Sequence, residues 1–127
     1  MRMTKPIWSP ESEDHDYPAA LSYLSLLAPA NEVQRIIKFF KFAPIEFIKA
    51  KDVIRASNLP LLPRSNFHVK RDLKRIEGKK VLAPLLLVRG IGRLELHLTI
   101  ADGYHRACAV YWNNEDAFIH AKVANWA

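Results

Sequence analysis

The chain has little cysteine, no long apolar run and no repetition. Its one cysteine, Cys108, excludes an internal disulfide framework and suits a reducing, cytoplasmic setting. Without a cysteine pair, a structural zinc site of the usual kind is also excluded, and no metal ligand set is expected. No apolar run reaches the length of a membrane span, so no membrane partner is expected. Met1 to Glu13 carries basic residues but no apolar stretch, so a signal peptide is not expected either. Internal repeats and low-complexity tracts are missing.

What is present is ordinary for a globular domain. The 127 residues are 50% hydrophobic and 25% charged, enough to bury a real core as one domain. The formal net charge is +6, unevenly spread. Glu11, Glu13, Asp14 and Asp16 make the start acidic. Arg64, Lys70, Arg71, Lys74, Arg75, Lys79, Lys80, Arg89 and Arg93 make the middle strongly basic. Such a patch attracts nucleic acid, nucleotides or an acidic partner, or is simply a solvated helix face. Aromatics are not interleaved with it, which argues against a single-strand stacking platform.

Hydrophobic periodicity and turn residues predict the organisation. Residues 1–15 form a loose arm. Residues 16–41 form a helical lead-in, with helices from Asp16 to about Leu27 and from Glu32 to about Phe40, the first stopped by Pro29 and the second capped by Asn31. Residues 42–127 form the core. It begins with a strand within Phe42 to Ile48, a short helix at Lys51 to Ser57, a Pro-rich loop at Asn58 to Asn66 and a basic helix at Val69 to Ile76. A buried strand at Leu85 to Val88 then turns through Gly90-Ile91-Gly92-Arg93 into Leu94 to Ile100. A helix from Gly103 to about Trp112 and a strand near Phe118 to Val123 complete the chain. The fold class is therefore α+β, a small mixed sheet flanked by helices.

The chemistry concentrates at Asp102-Gly103-Tyr104-His105-Arg106, where a strand turns directly into a helix. A helix start presents free N–H groups and the positive end of the dipole. Arg106 adds a planar fork of donors that fits phosphate, His105 titrates near neutral pH, and Gly103 permits an unusual backbone angle. Together they predict an anion site. The same residues also fit a plain turn and helix cap, with Asp102 capping, Tyr104 packed and the others solvated.

The run from about Phe47 to Val123 resembles the ParB/sulfiredoxin-like superfamily, and the whole chain most resembles a bacterial branch to which no particular reaction attaches. The resemblance rests on Gly103-Tyr104-His105-Arg106 after a strand, preceded by Leu62-Pro63-Arg64-Ser65-Asn66, the basic run Val69 to Ile76, Gly78 and the Pro-led strand from Ala83-Pro84. It implies nucleotide phosphate, with or without Mg2+, at the start of the motif helix. It further implies that a basic residue of the preceding helix reaches the phosphates, Lys70 being favoured over Arg71. Arg64, Asn66 and His68 would line the pocket or belong to a surface loop, and Asp102 would hold Mg2+ or orient His105.

Two departures limit the likeness. Tyr104 stands where sulfiredoxins carry their catalytic cysteine, and Cys108 lies too far into the helix to replace it, so sulfinic acid reduction is not expected. The sequence ends at Ala127 without the helix-turn-helix domain of segregation proteins, so a segregation clamp is not expected. The leading expectation is a nucleotide- or phosphate-binding domain. The alternatives are a regulatory module that binds DNA or a partner protein through the basic face, and a phosphoryl-transfer or nuclease-like enzyme. The enzyme reading lacks a second carboxylate near the motif in the sequence, and no catalytic residue is assigned. His97 and His120 have no spacing that argues for metal.

Overall fold

The structure is a computed structural model and describes residues 4–90 and 97–126. Its centre is a short run that the sequence marks as buried, Leu85-Leu86-Leu87-Val88 of β4 (Leu85–Arg89), in which all four side chains are fully buried. Alternate strand residues point to opposite faces, so a run with no polar position requires a cover on both sides.

Both covers are present. β4 pairs antiparallel with β5 (Thr99–Asp102) and parallel with β6 (Phe118–Asn125), and β6 pairs antiparallel with β2 (Glu46–Lys49). The sheet order is β2-β6-β4-β5. On one face Leu85, Leu87, Ile119, Ala121 and Val123 pack against α3 (Ala50–Ser57), α4 (Phe67–Glu77) and α5 (Tyr104–Asn113). On the other, Leu86, Val88 and Ala124 pack against Ala20 and Leu24 of α1 (Asp16–Leu24) and Val33, Ile36 and Phe40 of α2 (Ala30–Phe42). The helical lead-in is thus the second layer of a mixed α+β domain and belongs to its core. Lys122 faces this layer at 3% exposure, and its ammonium donates to the Tyr17 hydroxyl at 3.0 Å.

Local chemistry moves several predicted boundaries. α1 ends at Leu24, and Pro29 begins α2 instead of stopping α1, because its fixed φ of −64° suits a helix entry. Asn31 therefore lies inside the first turn and is not the cap. α4 starts earlier than the apolar pattern shows, at Phe67, because the Asn66 side chain accepts from the N–H groups of His68 and Val69. The 1–15 arm is not loose along its described length. β1 (Ile7–Trp8) pairs in parallel with β3 (Val81–Leu82), and Ser9 N–H donates to Leu82 O at 2.8 Å. Of the turn predicted at Gly90-Ile91-Gly92-Arg93, only Gly90 lies within the described residues, and Leu94 to Leu96 also lie outside them. No described helix is long and apolar enough to cross a membrane.

Candidate functional site

The motif sits at the C-terminal end of β5. Leu86 pairs with Asp102 and Leu87 with Ile100, so Ala101 is an extra residue on β5 and the strand bulges just before the turn. Gly103 follows at φ +107°, which a side chain tolerates poorly. A Cβ there would stand 2.7 Å from Leu85 Cγ and 2.8 Å from Arg106 Nη2. Glycine is thus needed for backbone angle and for space together, and this lets α5 begin immediately against β4.

The first turn of α5 sends its side chains in three directions. The Tyr104 hydroxyl donates to Pro60 O. The His105 ring lies 4.7 Å from that of His68, centroid to centroid. Arg106 turns back, with Nη2 3.3 Å from Pro84 O and 3.4 Å from Asp102 Oδ2, while its buried Nε has no acceptor among the described residues. Burial pushes the His105 imidazole below its ordinary value; the nearby His68 and Arg71 push the same way and Asp72 opposes them.

A cavity of about 370 Å³ opens beside Arg106. Arg71 and Arg75, one turn apart on α4, line it together with Arg106 and Asp72. The buried Asp72 carboxyl is raised by burial, against the pull of Arg106, Arg71, Arg75 and His105. Glu13 and His15 of the arm form another part of the wall. Arg75 is held in place by a 2.9 Å hydrogen bond to Val81 O, whereas Arg71 approaches Asp72 only to 4.0 Å.

Of the residues singled out in the sequence, Arg106 reaches this cavity, whereas Gly103 supports the turn and Tyr104 anchors the Pro-rich loop. Lys70 is exposed and does not line it; the helical register gives that place to Arg71 and Arg75. Arg64 lies over the Trp112 ring at 5.8 Å, and Trp112 Nε1 donates to Leu62 O at 2.7 Å, so this part of the loop is pinned to α5. Asn66 is a helix cap, and His68 keeps company with His105. Cys108 is fully buried, which pushes its thiol up. His120 stacks on Trp8 at 5.3 Å, and His97 is exposed.

The residue that sequence reasoning missed is Asp16. It is 1% exposed, and its side chain meets that of Asp102. Asp16 Oδ2 accepts from Glu13 N–H at 2.7 Å, and Oδ1 lies 3.4 Å from His15 Nε2. Burial first, and then the Asp16 carboxylate, push the Asp102 carboxyl up to about 6 against the pull of Arg106. In the sequence Asp16 is one of four acidic residues in a polar stretch, and nothing there sets it apart. Glu13, His15 and Asp16 also bring one ligand atom each within 4.8 Å of one another, a set of the donor types that cations accept. Comparison with protein-family models, with curated proteins and with solved structures gives no match.

Proposed function

We propose that the chain binds a phosphate-bearing ligand, with a nucleotide as the leading class, in the cavity formed by Arg71, Arg75 and Arg106. The observation that carries this reading is the convergence of three guanidinium groups from α4 and α5 on one concavity. Arginine forks match phosphate oxygens in pairs, and two of these three are fixed by backbone carbonyls before any ligand arrives. The resemblance of Phe47 to Val123 to the ParB/sulfiredoxin-like superfamily supports the same ligand class, and a cytoplasmic setting accords with the single buried thiol. Relative to the expectation from the motif alone, the ligand sits on the side chain of Arg106 and the face of α4, with the start of α5 behind it.

The test is thermal unfolding of the wild type and of Arg71→Ala against a panel of nucleotides and pyrophosphate, with and without Mg2+. The Arg71 side chain is 59% exposed and approaches Asp72 only to 4.0 Å, so its removal is expected to leave the scaffold intact. A ligand at a hundred times its Kd stabilises by about 2.7 kcal/mol. The expected result is a shift of several degrees in the wild type that shrinks in Arg71→Ala. A wild type indifferent to every phosphate compound refutes the reading.

Nucleic acid is the second reading. Lys70 and Lys74 extend the exposed basic face of α4 beyond the cavity. Retention of DNA that falls steeply with salt and is lost on neutralising Lys70 and Lys74 distinguishes it.

A further inference from the structure

A second cavity, of about 400 Å³, shares no lining residue with the arginine cavity. Its size is at the small end of ligand cavities, and four rings line it: Trp8, Phe47, Phe118 and His120. The strand register brings the rings together. Phe118 and His120 are two apart on β6, and Phe47 of β2 stands opposite His120, so these three side chains share one face of the sheet. The alternate residues Ile119 and Ala121 fill the core on the other face. Further along β6 the ring-bearing face is covered by the helical lead-in, where Lys122 meets Tyr17 and Ala124 joins the core. Near Phe118 the neighbour is instead Trp8 of β1, which stacks on His120 with 5.3 Å between centroids. Phe47 meets the same imidazole at 81° and 4.6 Å. Phe47 and Phe118 stay 61% and 52% exposed, an aromatic patch of the kind that marks a binding surface.

The polar groups of the cavity limit what it takes. Among its lining residues Lys5 is the one formal charge, and none is a carboxylate. Lys5 adds to burial in holding the His120 imidazole below its ordinary value, so this ring is neutral at pH 7. Aromatic walls attract cations, but an ammonium already in the wall reverses that preference. The arm that carries Lys5 is fixed on both sides: Asn113 Nδ2 donates to Thr4 O at 2.7 Å, and Ile7–Trp8 pairs with Val81–Leu82.

We propose that this cavity binds a small aromatic carboxylate, its ring among Trp8, Phe47 and Phe118 and its carboxylate on the Lys5 ammonium. Offset and edge-on contacts with three rings reward a flat aromatic body. The lysine selects the acid over a neutral or cationic compound of the same shape. The site is independent of the phosphate reading, since the two cavities have separate walls.

The experiment is NMR titration of the isotope-labelled protein with naphthoate, read at the Trp8 indole N–H and the amides of β2 and β6. Naphthylmethanol and naphthylmethylamine, the neutral and cationic compounds of the same ring system, are titrated beside it. Naphthoate is expected to move the Trp8 signal with a Kd of about 1 mM or below, and to leave the Trp112 indole, which is bonded to Leu62 O, unmoved. The alcohol is expected to bind about tenfold more weakly, and the amine more weakly still. Lys5→Gln, a change at an exposed position, is expected to bring naphthoate to the level of the alcohol without altering the alcohol. Phe47→Ala is expected to weaken both compounds about fivefold. Arg71→Ala is expected to keep the wild-type affinity, because it alters the other cavity.

A Trp8 signal indifferent to naphthoate overturns the proposal. So does naphthoate binding that is unchanged in both Lys5→Gln and Phe47→Ala, or that is lost in Arg71→Ala. An amine that binds as tightly as the acid makes the rings a cation site and overturns it as well. A Trp8 signal that moves on dilution of the protein and not with naphthoate assigns the rings to a second copy of the chain, again against the proposal. Should Phe47→Ala fail to fold, the ligand series and Lys5→Gln decide the matter.

Discussion

Asp16, the first residue of α1, meets Asp102, the last residue of β5, across the packing of the helical lead-in against the sheet edge. Burial of Asp102, and after it the neighbouring Asp16, give stability a dependence on pH. An ordinary aspartate titrates near 3.8, and in the fold Asp102 is raised to about 6. Between these values the folded chain holds a proton that the unfolded chain has released. This contribution is thus fully present below about 3.8 and is lost as the pH rises through about 6. Unfolding free energies from urea titrations at both ends of that window are expected to differ by on the order of 3 kcal/mol, the acid end being the more stable as far as this group is concerned. Asp102→Asn removes most of the slope. Asp72, raised in the same direction by burial, adds to the slope, and the lowered His105 and His120 imidazoles oppose it.

Gly103→Ala tests the entry to α5. The residue combines a left-handed backbone with a Cβ position 2.7 Å from Leu85 Cγ. Backbone strain alone costs about 1 kcal/mol or more, and relief of the contact requires a fully buried leucine to move. The expected loss is about 2–4 kcal/mol in denaturant unfolding. A variant as stable as the wild type would show that β4 and α5 separate easily.

Tyr17→Phe leaves the buried Lys122 ammonium without its partner hydroxyl. Leaving a buried charged donor unsatisfied costs about 1–3 kcal/mol. Adding Lys122→Met to that variant is expected to recover most of the loss, because the site then holds no polar group to satisfy. Thermal melts of the two variants check both halves of the prediction.

Trp112→Phe removes the donor to Leu62 O and replaces the indole that Arg64 covers with a smaller ring. Stability is expected to fall by about 1 kcal/mol. Hydrogen exchange is expected to quicken across 59–66, with the amides of β4 and β6 unchanged. Uniform acceleration would mean that the loop and the sheet open together.

The local chemistry of the chain decided much by itself. The Asn66 cap, the amphipathic pattern of α4 and the strand-to-helix turn at Gly103 depend on residues close in sequence, so they are legible there. The run Leu85 to Val88 also announces a strand buried on both faces, since none of its positions tolerates water. The basic middle of the chain and Arg106 are equally visible as anion-seeking groups.

Tertiary structure decided which of those cations share a space and what stands behind them. Whether Lys70 or Arg71 faces Arg106 depends on the rotation of α4 against α5, which no local pattern sets; the structure places Arg71 and Arg75 there. The pairing of Ile7–Trp8 with Val81–Leu82 turns the arm into part of the domain, because a parallel partner distant in sequence satisfies its backbone. Asp16 is an ordinary acidic residue until α1 packs over the end of β5. Desolvation and contact with a second carboxyl then change the proton affinity of Asp102, since both depend on distances that only the folded chain creates.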